Sequence, residues 1–275
     1  MTIRTALAQG QKLLEDDAVI APRLAAEVLL CHALRRERSY LFAHPEEELT
    51  EVAWIHYGRY LHERLNGKPT QYILKRQEFY GREFLVTRDV LIPRPETEHV
   101  VEAALRRAPQ AKRILDIGCG SGAIAVTLAL ETSATVVGSD ISVGAVRVAA
   151  ENARRLDANV RFAVCDLGEA FAGGFDLIVS NPPYVPEPDF DTLQREVRDY
   201  EPRVALLGGP SGLDLYRRIV DDAPRLLLSG GMLIMELGFK TAEAVRSMFD
   251  ARWREIDLAP DLAGIPRVIS ARLAP

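Results

Sequence analysis

The stretch Asn181-Pro182-Pro183-Tyr184 is the part of this chain best equipped for chemistry. It follows an apolar run, residues 175–180, that reads as a short buried strand. Two consecutive prolines have no N–H to donate and cannot continue a sheet, so they turn the chain rigidly and leave backbone carbonyls free. Asn181 adds a side-chain carbonyl, an acceptor with two lone pairs, and Tyr184 adds a flat ring. Two acceptors and a ring suit a planar –NH2 group. Such a nitrogen is a poor nucleophile because its lone pair is delocalised. Accepting both of its hydrogens orients it and lets the lone pair localise toward an electrophile. A proline-rich loop without chemistry would read the same way, but loops at strand ends are where α/β proteins carry their sites.

A second motif upstream provides for the electrophile. Residues 114–117 run into Gly118-Cys119-Gly120-Ser121-Gly122-Ala123 and then an apolar helix. Glycines permit a tight turn and close backbone approach to a ligand, and the helix start offers unpaired N–H groups. Gly118, Gly120 and Ala123 satisfy G-x-G-x-x-A, so a dinucleotide remains possible, and Asp140 about 20 residues on suits ribose hydroxyls with either ligand. Two features favour S-adenosylmethionine: the extra G-x-G-x-G spacing given by Gly122, and Asp116 just before the loop. A carboxylate there can meet an ammonium directly or through water, whereas it would repel a pyrophosphate. Asp116 serves equally to cap local backbone, and Asp140 to cap the helix after Ser142. Asp166, after the third strand, is placed to accept from the exocyclic amine of adenine, with Leu167 packing on the ring; a surface-loop aspartate is the alternative.

The elements that must position these groups follow from pattern. Residues 3–16, 22–35 and 50–65 carry helical apolar spacing, with Thr50 as an N-cap and Gly67 as a stop, so a helical bundle over 1–68 is expected. Residues 69–86 turn to β-branched and aromatic types around Gly81 and predict a β-hairpin linker. From 87 to 275 strands at 113–117, 135–139, 160–164, 176–180, 232–236, 253–258 and 267–273 alternate with helices near 96–107, 121–130, 142–156, 212–228 and 240–250. That alternation predicts an α/β, doubly wound, mostly parallel seven-stranded sheet with an antiparallel edge.

With 48% apolar and 27% charged residues in 275, the chain has the composition of a globular protein. The first 85 residues carry equal numbers of basic and acidic side chains, so the whole net charge of −5 falls on the rest, which argues against a dedicated nucleic-acid binder. Three cysteines and five histidines show no metal-ligand spacing, so no metal is expected and the cysteines read as reduced thiols. No signal peptide and no membrane span are evident, and a cytoplasmic location is expected.

The string Leu91-Ile92-Pro93-Arg94-Pro95-Glu96-Thr97-Glu98, the Asp116–Gly122 loop and Asn181-Pro182-Pro183-Tyr184 together closely resemble the peptide chain release factor glutamine methyltransferases, the PrmC/HemK family. The resemblance runs over nearly the whole chain, including Gln71-Tyr72-Ile73, Tyr200-Glu201-Pro202, Gly208-Gly209 and Gly212-Leu213. It implies a methyltransferase sheet and S-adenosyl-L-methionine as cofactor. The implied activity is N5-methylation of the Gln in the Gly-Gly-Gln loop of class-1 release factors. On that pattern Gly118, Cys119, Gly120, Ser121 and Gly122 line the cofactor loop, Asp140 takes the ribose hydroxyls, and Asp166, Leu167 and Asn181 complete the cofactor side. Asn181, Pro182, Pro183 and Tyr184 hold the glutamine, with Asn181, Pro182 and Tyr184 catalytic. The N-terminal domain is the natural docking element for the release factor, and a monomer without direct nucleic-acid contact is expected. Pro266 stands where the family commonly has Asp. Arg94 and Glu96 read either as cleft residues or as structural ones. Two other functions share parts of this pattern: a DNA adenine-N6 methyltransferase, which would use the same four residues on a flipped base, and a dinucleotide-dependent oxidoreductase using the Gly-rich loop.

Overall fold

The computed structural model describes all 275 residues, which divide into two compact units: Met1–Lys75 with Gln194–Tyr200, and Arg76–Leu193 with Glu201–Pro275. The first unit is helical. It contains α1 (Ile3–Asp16), α2 (Pro22–Leu34), α3 (Arg38–Ala43), α4 (Glu51–Leu65) and α5 (Thr70–Leu74). Thr2 and Thr50 begin α1 and α4 as side-chain caps, accepting from Thr5 N at 3.3 Å and Ala53 N at 3.2 Å. Their inward faces bury Ile3, Leu14, Leu29, Leu30, Tyr57 and Leu61 in one cluster. Gly10 allows the closest approach in it: a Cβ there would fall 2.0 Å from the Tyr57 hydroxyl.

Residues 70–74 depart from the predicted hairpin. Tyr72 and Ile73 are β-formers by type, but Ile73 is buried in the helical cluster, and this packing outweighs a weak intrinsic preference. The hairpin itself is shorter, with β1 (Arg76–Phe79) antiparallel to β2 (Arg82–Leu85), and it belongs to the second unit.

That unit continues through a 3-10 turn (Pro95–Thr97), α6 (Glu98–Arg107), β3 (Arg113–Ile117), α7 (Ala123–Glu131), β4 (Thr135–Asp140), α8 (Val143–Arg155), β5 (Val160–Val164) and β6 (Phe175–Ser180). After α9 (Arg195–Tyr200), part of the first unit, come α10 (Asp214–Leu226), β7 (Leu227–Glu236), α11 (Ala242–Arg246), β8 (Trp253–Pro260) and β9 (Pro266–Leu273). The seven strands order as β5-β4-β3-β6-β7-β9-β8. The pairs from β5 to β7 are parallel, and β9 pairs antiparallel with both β7 and β8. The seven-stranded sheet with its antiparallel edge is therefore the one that strand and helix alternation predicts. Its central strands are apolar on both faces and are covered by two clusters. One is built on Val100, Ala125, Val126 and Leu128, and the other on Tyr216, Ile219, Val220 and Ala223.

Strand β7 begins five residues before its predicted start. Gly230 takes φ +76° within a strand that runs from Leu227. The predicted helix over 212–228 correspondingly ends at Leu226. No helix is long and apolar enough to cross a membrane.

Candidate active site

The chain order reverses between β3 and β6, the place where an open parallel sheet forms a crevice at its strand ends. A cavity of ≈ 320 Å³ opens there, lined entirely by residues of the second unit. Ser180 Oγ donates to Ile117 O at 2.7 Å and ties the two strand ends together beneath it.

On the β3 side, Gly118 (φ +71°) and Gly120 (φ +53°) turn the chain at the cavity wall. A Cβ built on either meets nothing within 4 Å, so both leave open space that a side chain would fill. Cys119 and Ser121 also line the cavity. Gly122 does not; it precedes α7 with φ +81°, and a Cβ there would lie 3.1 Å from Ala149 Cβ, so this glycine serves helix packing. Asp140 faces the loop from the end of β4. Its Oδ2 accepts from Gly120 N and its Oδ1 from Ser142 N, both at 2.9 Å, which leaves further lone pairs for a ligand. Burial pushes its carboxyl up, against those N–H groups, which pull it down. The helix cap is Ser142, whose Oγ accepts from Ala145 N at 3.2 Å.

Asp116 is fully buried and does not line the cavity. Its Oδ2 accepts from Ala125 N at 3.0 Å in the first turn of α7, while Oδ1 has no partner. The Oδ2 contact is the backbone-capping one of its two readings. Burial raises its carboxyl to about 7. Farther along the wall, Asp166 is paired with Arg218 at 2.8 Å, and Leu167 sits beside it with φ +47°. Burial raises the Cys119 thiol well above its ordinary range, so it stays protonated.

On the β6 side, Asn181 and Pro183 line the cavity, whereas Pro182, which is buried, and Tyr184, which packs against the apolar cluster around Tyr216, do not. Gly238 lies against the Tyr184 ring, and burial raises the Tyr184 phenol to about 12. Gly208 and Gly212 close over the turn: Cβ atoms there would fall 2.6 Å from Pro183 O and 2.4 Å from Tyr184 O. No donor within the chain reaches Asn181 Oδ1 or the Pro182 carbonyl.

Four further residues shape the site without having stood out as site residues in the sequence. Asn181 Nδ2 donates to Thr97 Oγ1 at 3.1 Å, and Thr97 Oγ1 donates to Glu236 Oε2 at 2.6 Å. Buried Asn152 accepts from Leu85 N at 2.7 Å and donates to Leu85 O and Ser121 O, both at 2.9 Å, bracing the Gly-rich loop from α8. Glu201 accepts from Ile92 N at 3.1 Å and pairs with Arg94, which itself lines the cavity. Glu96 is exposed and does not line it. No signal along the chain joins these residues, because their partners lie 31 to 139 positions away.

Residues 5–74 match the model of the PrmC N-terminal domain, and residues 97–197 that of the methyltransferase small domain. The chain is 46% identical over 277 residues to a release factor glutamine methyltransferase of Koribacter versatilis, covering 99% of both proteins. This chain belongs to the release factor glutamine methyltransferase family. The same identity, 46%, holds over 275 residues to the family member of Geobacter sulfurreducens, covering 99% of this chain and 97% of the other. Solved structures share the fold at much lower identity. A methyltransferase from Pyrococcus furiosus superposes with a TM-score of 0.56 at 16% identity, over 72% of this chain and 91% of that one. A Thermus thermophilus 16S rRNA N2 G1207 methyltransferase, solved with AdoMet and guanosine, gives 0.51 at 20% identity, over 72% and 49%.

Proposed function

We propose that this chain, a protein-glutamine methyltransferase dependent on S-adenosylmethionine, methylates the side-chain amide nitrogen of the Gln in the Gly-Gly-Gln loop of class-1 release factors. The observation that carries this reading is the polarity of the Asn181 amide. Its NH2 end is engaged by Thr97, so its carbonyl oxygen is left to accept from a substrate nitrogen at the cavity wall.

The residues on the cofactor side fit the cofactor. The open faces of Gly118 and Gly120 admit close approach of a ligand, and the spare lone pairs of Asp140 suit vicinal hydroxyls. Cys119, Ser121, Asp166 and Leu167 line the remaining wall, and Gly122 holds the loop to α8. When bound, S-adenosylmethionine supplies a methyl group made electrophilic by a sulfonium.

The chain's own part is to prepare the nucleophile. Asn181 Oδ1 and the Pro182 carbonyl accept the two amide hydrogens, Pro183 fixes the turn, and the Tyr184 ring packs on the amide plane. Held this way, the nitrogen lone pair is directed at the methyl group, and acceleration comes from orientation and preorganised acceptors. No side chain is placed as a general base, so the amide proton leaves to solvent after transfer. A Gln between small residues offers few handles of its own, and the helical unit at residues 1–75 docks the release factor. The enzyme acts as a monomer in the cytoplasm, where its substrate works, without binding nucleic acid directly.

Methyl transfer from labelled S-adenosylmethionine tests this with three acceptors in parallel: intact release factor, its Gly-Gly-Gln variant with Gln→Ala, and duplex DNA. Label on the intact factor alone is expected. Label on DNA would replace this reading with the adenine-N6 one, and label on the Ala variant would move the target to another residue.

A further inference from the structure

We propose that Thr97 and Glu236 are positioning residues that set which end of the Asn181 amide faces the substrate. The proposal rests on the reading of Asn181 given above and deepens it.

An asparagine amide has two ends of nearly equal shape and opposite chemistry, an acceptor oxygen and a donor NH2. Only one orientation serves: the oxygen must face a substrate nitrogen that arrives with hydrogens to donate. Nothing in the shape of Asn181 selects it, so a neighbour must, and the hydrogen-bond network decides the assignment.

Thr97 is that neighbour. Its hydroxyl has one proton, and that proton is committed to Glu236 Oε2 at 2.6 Å. Toward Asn181 the hydroxyl can offer only lone pairs, so the atom 3.1 Å away must be the amide nitrogen. The reversed amide would set two acceptor oxygens against each other in a site where Thr97 is 5% exposed and Glu236 3%. Water cannot relieve such a clash there.

The placement is built into the sheet. Ser180 pairs with Met235 in parallel register, so Asn181 and Glu236 are the next residues on neighbouring strands. The 3-10 turn Pro95–Thr97, which starts α6, carries the hydroxyl between them. Glu236 is held from its other side, its carbonyl accepting from the Tyr216 hydroxyl at 2.9 Å and its backbone paired with Val268 of β9. The relay therefore joins three elements and ends at the atom that accepts from the substrate.

Thr97→Val keeps the shape and removes the hydroxyl; Thr97→Ser keeps the hydroxyl and removes the methyl group. With release factor as acceptor, Thr97→Val is expected to lower kcat by about tenfold or more, as for loss of a buried orienting hydrogen bond. KM and affinity for S-adenosylhomocysteine should stay within about twofold, and Thr97→Ser should restore most of kcat. Side-chain 15N spectra of the complex with S-adenosylhomocysteine give a readout that needs no turnover. The Asn181 amide proton that meets Thr97 Oγ1 is expected downfield in the parent, moving upfield in Thr97→Val and staying in place in Thr97→Ser. Unchanged spectra and kcat in Thr97→Val would overturn the proposal, as would equal losses in the Val and Ser variants. If the parent fails to methylate release factor while the spectra behave as expected, the function fails and the relay stands.

Discussion

Gly238 lies directly against the ring of Tyr184: a Cβ at that position would fall 2.7 Å from Cδ2 and 2.9 Å from Cγ. Its N–H donates to the Tyr216 hydroxyl at 3.0 Å, so the backbone cannot easily retreat. Gly238→Ala should therefore push the ring out of place. A loss of about 1–3 kcal/mol of stability is expected from overpacking, together with a fall in kcat larger than any change in cofactor affinity. Denaturant unfolding and steady-state kinetics on the same preparation check both parts.

Asn181→Ala removes the acceptor and nothing that Gly118, Gly120 or Asp140 contributes. The expected result is a drop in kcat of about 10²-fold or more, the scale seen when a preorganised polar group is lost from a site. Calorimetric affinity for S-adenosylhomocysteine should move little. Equal losses in affinity and rate would place Asn181 on the cofactor side.

Asp140→Ala should do the reverse. It takes away the acceptor for Gly120 N and Ser142 N and the carboxylate assigned to the ribose, so S-adenosylhomocysteine affinity should fall by about tenfold or more. At saturating cofactor, kcat should recover most of its parent value.

Activity should fall as pH drops through about 7. Burial raises the Glu236 carboxyl to about 7, against the Thr97 hydrogen bond and the charges of Arg267 and Arg94, while Glu96 adds to the rise. Above that pH Glu236 is ionised and takes the Thr97 proton. Below it the carboxyl carries a proton of its own, which can be given to Thr97 Oγ1, and the Thr97 proton is then free to turn to Asn181. The polarity of the relay reverses and the acceptor is lost. A raised acid pKa places the working form on the alkaline side, so the limb is acidic. Glu236→Gln cannot titrate, and its profile should lack that limb. Asp116, also raised to about 7, is common to both proteins and drops out of the comparison.

Asn152→Ala should cost about 2–4 kcal/mol, since it leaves Leu85 N, Leu85 O and Ser121 O without partners in a buried place. Because Ser121 belongs to the Gly-rich loop, cofactor affinity should weaken too. Thermal unfolding with and without S-adenosylhomocysteine separates the two effects.

The sheet was readable because its strands are local events: mostly apolar runs of four to six residues with a sharp stop, such as Ile114–Ile117 before Gly118 and Phe175–Ser180 before Asn181-Pro182. The Gly-rich loop and the Asn-Pro-Pro-Tyr turn were readable for the same reason, since each motif carries its geometry within a few residues. Short helices were not. Thr70–Leu74 and Arg195–Tyr200 are too brief to show a period, and packing decides them. Asn152 reads as an ordinary helix residue and Thr97 as one member of the Leu91–Glu98 string without a role of its own, because a hydroxyl or an amide gains its meaning only from a partner that the fold brings up. Asp116 could be read two ways along the chain, and its backbone partner, Ala125 N, became visible only in the fold.

The hydrogen bond from Ser180 to Ile117 spans 63 positions of sequence and 2.7 Å of space. The distance between the cofactor loop and the acceptor loop is thus measured across two adjacent strands, not along the polypeptide. The intervening segment can grow at an exposed tip, such as the turn after α8, without altering that distance. Reaction geometry and chain length are therefore separate variables in this architecture. New loops that read a different macromolecule can be added while the transfer step is inherited whole.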